Sequence, residues 1–138
     1  MLRILSGVFL VMHAVVHLLY LGQSSRTFEL QNGMTWPDGS WLFSRLLGNE
    51  PTRVLASVIL LLVALALMTG ALGLFLMQAW WRPVVVSAVA LSAIAYFLLW
   101  DGAMQDLPGK GAVGVLISLA VLVAVVIFRW PNLAPASP

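Results

Sequence analysis

Residues 54–77 read VLASVILLLVALALMTGALGLFLM, a run without a single charged side chain. As a helix rising about 1.5 Å per residue it would extend about 36 Å. The hydrocarbon core of a bilayer is about 30 Å thick. In lipid, a lone segment can satisfy its backbone N–H and C=O groups only by being helical. The stretch therefore reads as a tilted membrane span, and the rest of the chain has to be arranged around it.

Three further apolar segments have the same character, at about residues 4–21, 83–100 and 111–128. The chain is 62% hydrophobic and 9% charged, whereas soluble domains carry about 25% charged residues. The expected fold is all-α, a single integral membrane domain over residues 1–138: a four-transmembrane-helix bundle with a long, partly helical loop at 22–53. The first segment superficially resembles a signal peptide. Two histidines interrupt it and no small-x-small cleavage site follows, so it reads as a retained helix.

Polar residues on the first span are Ser6, His13, His17 and Tyr20. Offsets of seven, four and three place them on one helical face. Polar groups in lipid are costly, so that face is expected to point inward. Small residues line the other spans at helical spacing: Ala66, Gly70 and Gly73, then Ala88, Ser92 and Ala95, then Gly111, Gly114 and Ser118. Such faces let helix backbones approach closely in membranes.

In the loop, Pro37-Asp38-Gly39 signals a turn, Ser40 can cap a short helix ending at Leu47, and Gly48 can terminate it. Trp41, Leu42, Phe43, Leu46 and Leu47 are too apolar for a free loop, and predict a segment at the membrane surface or over the helices. Trp80, Trp81 and Trp130 are expected to form one interfacial belt, and Trp36, Trp41 and Trp100 the other.

Four spans put both termini on one side. Arg3, Arg82 and Arg129 share it, while Arg26, Arg45, Arg53 and Lys110 lie opposite with all five acidic residues. The acids neutralise the long-loop side, and the amino terminus adds charge to the other. The expected topology is termini in the cytoplasm and loop outside, in the cytoplasmic membrane. Seven basic residues against five acidic ones, with no cluster, do not suggest nucleic acid. The absence of cysteine excludes thiol and Cys-ligated metal chemistry.

His13 and His17 carry the most chemistry. Imidazoles at i and i+4 can ligate one metal. Further ligands would have to be carboxylates such as Asp101, Asp106, Glu29 or Asp38, and only Asp101 is well placed. Two axial haem ligands cannot come from one helix face, so haem would need a partner such as Met. The plainer reading has both rings hydrogen-bonded across helices to Tyr96, serine or backbone. At about 1.5 Å per residue, His17 lies about 6 Å and His13 about 12 Å below the outer boundary. Tyr96 lies about 6 Å below Trp100 by the same rise. The candidate ligand-binding group is therefore His13, His17, Tyr20, Tyr96, Trp100 and Asp101, around an outward-facing polar pocket. The 22–53 loop serves either as its lid or only as a cap on helix ends.

The opening LRILSGVF, through Arg3, Gly7 and Phe9, resembles the start of DoxX-like membrane proteins. Members often carry Gly and then Lys where this chain has His13 and His17, so no catalytic role is carried over. The resemblance implies a four-helix bundle in the cytoplasmic membrane. It also links some members to quinone-coupled sulfur oxidation or membrane redox complexes.

No catalytic signature is present. The leading expectation is a non-catalytic membrane subunit or ligand-binding protein. Its partners would be the bilayer and other membrane-complex subunits or a second copy. A quinone-linked oxidoreductase component using His13 and His17 is the first alternative. A small oligomeric transporter is the second, and it lacks polar groups in the inner half beyond Ser6, Thr69 and Gln78.

Overall fold

A computed structural model describes residues 1–104, 107 and 110–131. Five helices occur among them and no strand: α1 (Leu2–Ser24), α2 (Phe43–Leu47), α3 (Asn49–Phe75), α4 (Trp81–Leu99) and α5 (Ala112–Val126). Helices α1, α3 and α4 are long and apolar enough to cross a membrane. Helix α5 is equally apolar but shorter, at 15 residues.

Helix α3 is the central element. It packs against α1 on one side and α4 on the other; α4 then carries α5, and α5 touches α1 only lightly. The core lies along these seams, with Ala64, Leu67, Ala71 and Leu74 of α3 and Val85 and Val89 of α4 fully buried. Leu62, Leu65, Ile94, Phe97, Leu116 and Val126 face outward and are exposed. Such a surface would be an association hazard in water, but it is what a hydrocarbon solvent requires.

The glycines of α1 and α3 sit in close contacts, whereas Gly114, expected on a small-residue face of α5, has open space around it. A Cβ on Gly70 would run into Val85 of α4, and one on Gly7 into the Phe75 ring of α3. A Cβ on Gly73 would lie 2.6 Å from the Trp80 ring. Close approach recruits dispersion contacts between helices that lack a hydrophobic drive to associate in lipid.

Several expected boundaries move. Helix α1 runs from Leu2 to Ser24, beyond the expected 4–21, and α3 starts at Asn49 instead of 54. Gly48, at φ 85, turns the chain directly from α2 into α3. Pro51 then falls in the first turn, where its missing N–H costs nothing. Glu50 sits there too, favoured by the helix dipole. The Thr52 hydroxyl bonds Gly48 O at 2.7 Å. Helix α5 covers Ala112–Val126, shorter than the expected 111–128, because Gly111 at φ 92 is its N-cap.

The segment between α1 and α3 is tied down at both ends. Gln23, fully buried at the end of α1, donates from Nε2 to Met34 O (2.9 Å) and Trp36 O (3.3 Å). Its Oε1 accepts from Leu30 N at 3.0 Å. Asp38 pairs with Arg26 at 2.8 Å and Arg53 at 3.0 Å, and Arg53 also pairs with Glu50. Beyond the turn, Ser40 Oγ donates to Leu98 O (2.7 Å), Trp41 Nε1 to Phe97 O (2.8 Å) and Trp41 N to Trp100 O (2.8 Å). The last carbonyls of a helix have no partner within it. This segment supplies donors at the end of α4, the capping role weighed for it above. Ser40 Oγ also accepts from Phe43 N at 3.1 Å, starting the short α2.

Two tryptophans expected at the interfaces are interior. Trp81 is 6% exposed and packs in the core with Leu10, Leu74 and Val125, and Trp36 is 7% exposed. Trp81 turns inward because Trp80 already occupies the exposed position of the turn. Trp36 turns inward because Gln23 holds its carbonyl at the top of α1.

Candidate functional site

The polar face of α1 does turn inward. Ser6, His13 and His17 are each less than 5% exposed. The two histidines belong to a chain of hydrogen bonds across three helices. His13 Nε2 lies 2.9 Å from Ser118 Oγ of α5. Ser118 Oγ donates to Ser92 Oγ of α4 at 3.0 Å. Ser92 Oγ lies 2.8 Å from His17 Nε2. His17 Nδ1 lies 3.0 Å from His13 O, one turn back along α1. The rings meet edge to face at 4.7 Å. Helical spacing puts both imidazoles on one face, and the single hydroxyl of α5 and one of α4 arrive at the same depth. The chain bridges the α1–α5 seam, where direct packing is weakest.

Above it, toward the loop, lies a chamber of about 40 Å³ walled by His17, Tyr20, Trp36, Ser92 and Tyr96, with Lys110 and Gly111 at its edge. A single water needs roughly 10–15 Å³ measured this way, so the chamber admits a few waters or one small polar group. Tyr20 and Trp36 stack edge to face at 5.6 Å. The Trp36 indole N–H is buried and has no hydrogen-bond partner among the described residues.

Two larger spaces adjoin it. A polar vestibule of about 150 Å³, lined by Gln31, Asn32, Thr35, Asp38 and Asp101, shares Trp36 and Lys110 with the chamber. A mainly apolar crevice of about 280 Å³ opens between α1 and α5, past Leu19, Leu30 and Ile117, and shares Val16, Tyr20 and Gly114. A third space, an apolar crevice of about 250 Å³, lies at the opposite end of the same seam. Phe9, Leu10, Trp81, Val121 and Trp130 line it.

The structure thus brings His17, Tyr20 and Tyr96 into the wall of one chamber, while His13, Trp100 and Asp101 lie next to it without lining it. Asp101 is in the vestibule instead. Its Oδ1 accepts from Ala103 N at 3.0 Å, and its Oδ2 pairs with Lys110 Nζ at 2.7 Å. Partial burial pushes this carboxyl up, but the Lys110 hydrogen bond, the Ala103 N–H and the Lys110 charge outweigh it and hold the group below its ordinary value. Trp100 does not wall the chamber; its Nε1 donates to Ala103 O at 3.1 Å. His13 sits one turn deeper, bonded to Ser118.

Among the described residues no three His, Asp or Glu side chains come together in a way that could hold a metal ion. The two Nε2 atoms serve different serines, and Asp101 serves Lys110. Asp106 lies outside the described residues.

Serine was among the expected cross-helix partners of the histidines, and Ser92 and Ser118 were legible as packing positions, but which serine meets which ring was not. The available signal was that Ser118 is the lone hydroxyl of α5. Trp36, Gln23 and Lys110 were not singled out, because their roles depend on how the loop folds back. Comparison with protein-family models, with curated proteins and with solved structures gives no match. Fold and composition define the class: a small helical membrane protein whose apolar core holds a few buried polar side chains.

Proposed function

We propose that the chain is a single-domain, four-span protein of the cytoplasmic membrane, DoxX-like in plan, with termini inside and the 25–48 segment outside. The charge distribution supports this orientation: Arg3, Arg82, Arg129 and the amino terminus lie at one end without acids, and the acidic side chains among the described residues, Glu29, Asp38, Glu50 and Asp101, lie at the other. Helix α5 serves as the fourth span. Its 15 residues reach about 22 Å, and Ile127 and Phe128 prolong the apolar surface to Arg129 and Trp130.

In this reading the protein binds a lipid-soluble ligand, acting alone or as a non-catalytic subunit of a membrane complex or homo-oligomer. One observation carries it: the chamber and the 280 Å³ crevice share Val16, Tyr20 and Gly114 as a common wall. A ring-sized apolar body fits the crevice, and its polar group reaches the chamber. The unpartnered Trp36 N–H makes that group an acceptor, such as a carbonyl oxygen. A quinone-linked redox component is the second reading. The His–Ser chain favours it, since quinone chemistry moves protons as well as electrons and imidazole and hydroxyl groups can each donate and accept.

The test is the melting temperature of the protein in lipid nanodiscs with ubiquinone-1. The expected result is a rise in the parent that is lost in Trp36→Phe, which keeps an aromatic ring, smaller than the indole, and removes the N–H. No rise in the parent at a saturating concentration, or an equal rise in W36F, overturns the assignment.

A further inference from the structure

The hydrogen-bond chain has a direction, and one carbonyl sets it. A backbone C=O only accepts, so His17 must carry its proton on Nδ1, facing His13 O. A neutral imidazole has one N–H, so His17 Nε2 is then an acceptor. Ser92 must donate to it, and is left to accept from Ser118, the direction in which that bond runs. Ser118, having spent its proton, accepts from His13 Nε2–H. His13 is therefore protonated on Nε2, and its Nδ1 is a bare lone pair. That atom is buried, in a residue 3% exposed, and has no partner among the described residues. Two histidines one turn apart on α1 are thus locked in opposite tautomers.

An unfilled acceptor at this depth is costly, because no bulk water reaches it. What fills it must bring a donor. The apolar crevice of about 250 Å³ begins at the adjacent turn of both helices that hold the His13–Ser118 bond. Phe9 and Leu10 precede His13 by four and three residues, and Ala120 and Val121 follow Ser118 by two and three. Phe9 is its movable wall: 48% exposed, stacked on the His13 ring at a centroid distance of 6.5 Å.

We propose that His13 Nδ1 is the acceptor of a second ligand site, in which an apolar molecule bearing a hydroxyl donor enters the α1–α5 crevice beside Phe9 and gives its O–H to that lone pair. Phe9, which lines the crevice and stacks on the His13 ring, must turn aside for the ligand to reach the nitrogen. The site is independent of the loop-side reading above. It lies on the far side of the His–Ser chain and selects a donor, whereas the Trp36 N–H selects an acceptor.

The experiment uses full-length protein with ¹⁵N-labelled histidine in nanodiscs, with 4-butylphenol as probe and 4-butylanisole as its donor-free control. The ¹⁵N spectrum should show His17 protonated on Nδ1 and His13 on Nε2. The phenol should shift the His13 Nδ1 resonance toward a hydrogen-bonded acceptor and bind about tenfold more tightly than the anisole, the value of one net hydrogen bond. In His13→Phe an aromatic ring is kept but both nitrogens are gone; the tenfold preference should vanish with helix content unchanged. A proton on His13 Nδ1 in the parent, equal affinities for phenol and anisole, or a preference that persists in H13F would each overturn the proposal.

Discussion

At the loop end, Asp38 is held by Arg26 and Arg53, Gln23 makes three bonds to the 30–36 backbone, and the α4 carbonyls take donors from Ser40 and Trp41. At the opposite end the α3–α4 turn, residues 76–80, is short. Cohesion there comes from Gly70 against Val85, Gly73 against Trp80 and the buried Trp81. One polar tie recurs there: Arg82 Nη2 donates to Arg129 O at 2.9 Å and Pro131 O at 3.2 Å. The two ends thus solve the same problem, finishing helices at a membrane boundary, by different means. A long connection brings its own donors to helix ends and leaves a polar chamber beneath. A tight turn brings steric fit and leaves an apolar crevice.

This contrast can be broken from either side. The largest effect is expected from Gly70→Leu, which forces a branched side chain into the Val85 contact. Overpacking of this kind costs about 1–3 kcal/mol, and the melting temperature followed by helix circular dichroism should fall accordingly. A melting temperature equal to the parent's would show that α3 and α4 do not touch as described.

Next is Gln23→Leu. It strands Met34 O, Trp36 O and Leu30 N at once, and unsatisfied buried groups cost about 1–3 kcal/mol each where water cannot reach them. The loop escapes part of this by lifting off. The expected readout is faster proteolysis within residues 25–42, with the helical core intact; unchanged cleavage would mean the loop is held by something else.

Asp38→Asn should cost less, about 1 kcal/mol or below, since its partners are partly solvated. The deficit relative to the parent should shrink in high salt, because salt screens what the parent gains. A salt-independent difference would assign Asp38 a packing role instead.

The smallest effect concerns Asp101. Its folded value is depressed, so the stability it contributes is present above its unfolded value, near 3.8, and is lost as pH falls through the lower folded value. Asp101→Asn should therefore flatten the acid limb of the stability curve slightly below about pH 4 and leave the region near neutrality unaltered in slope. A change in slope near pH 7 would contradict this assignment.

Much of the candidate site was readable before any coordinates. The spacing of Ser6, His13, His17 and Tyr20 fixed a polar face, and a rise of 1.5 Å per residue put His17 and Tyr96 near one depth. Asp101 stands beside the chamber without lining it, because depth is not direction. A residue just past a helix end has no helical phase, and Lys110, nine positions further on, claims that carboxylate. Likewise Trp36 and Trp81 carry the composition of a belt, yet which side of an interfacial tryptophan meets lipid depends on the neighbouring turn.

The order of the residues alone determined that helices form, that they are long and apolar, and that their polar atoms are gathered on particular faces. These follow from local hydrogen bonding and from a period of 3.6, both properties of a single segment. Only the tertiary structure decided which serine meets which histidine, and that His13 is left with an unfilled nitrogen. Those pairings join residues separated by 75 to 105 positions. They depend on how four helices rotate about their axes when packed, which no segment encodes by itself.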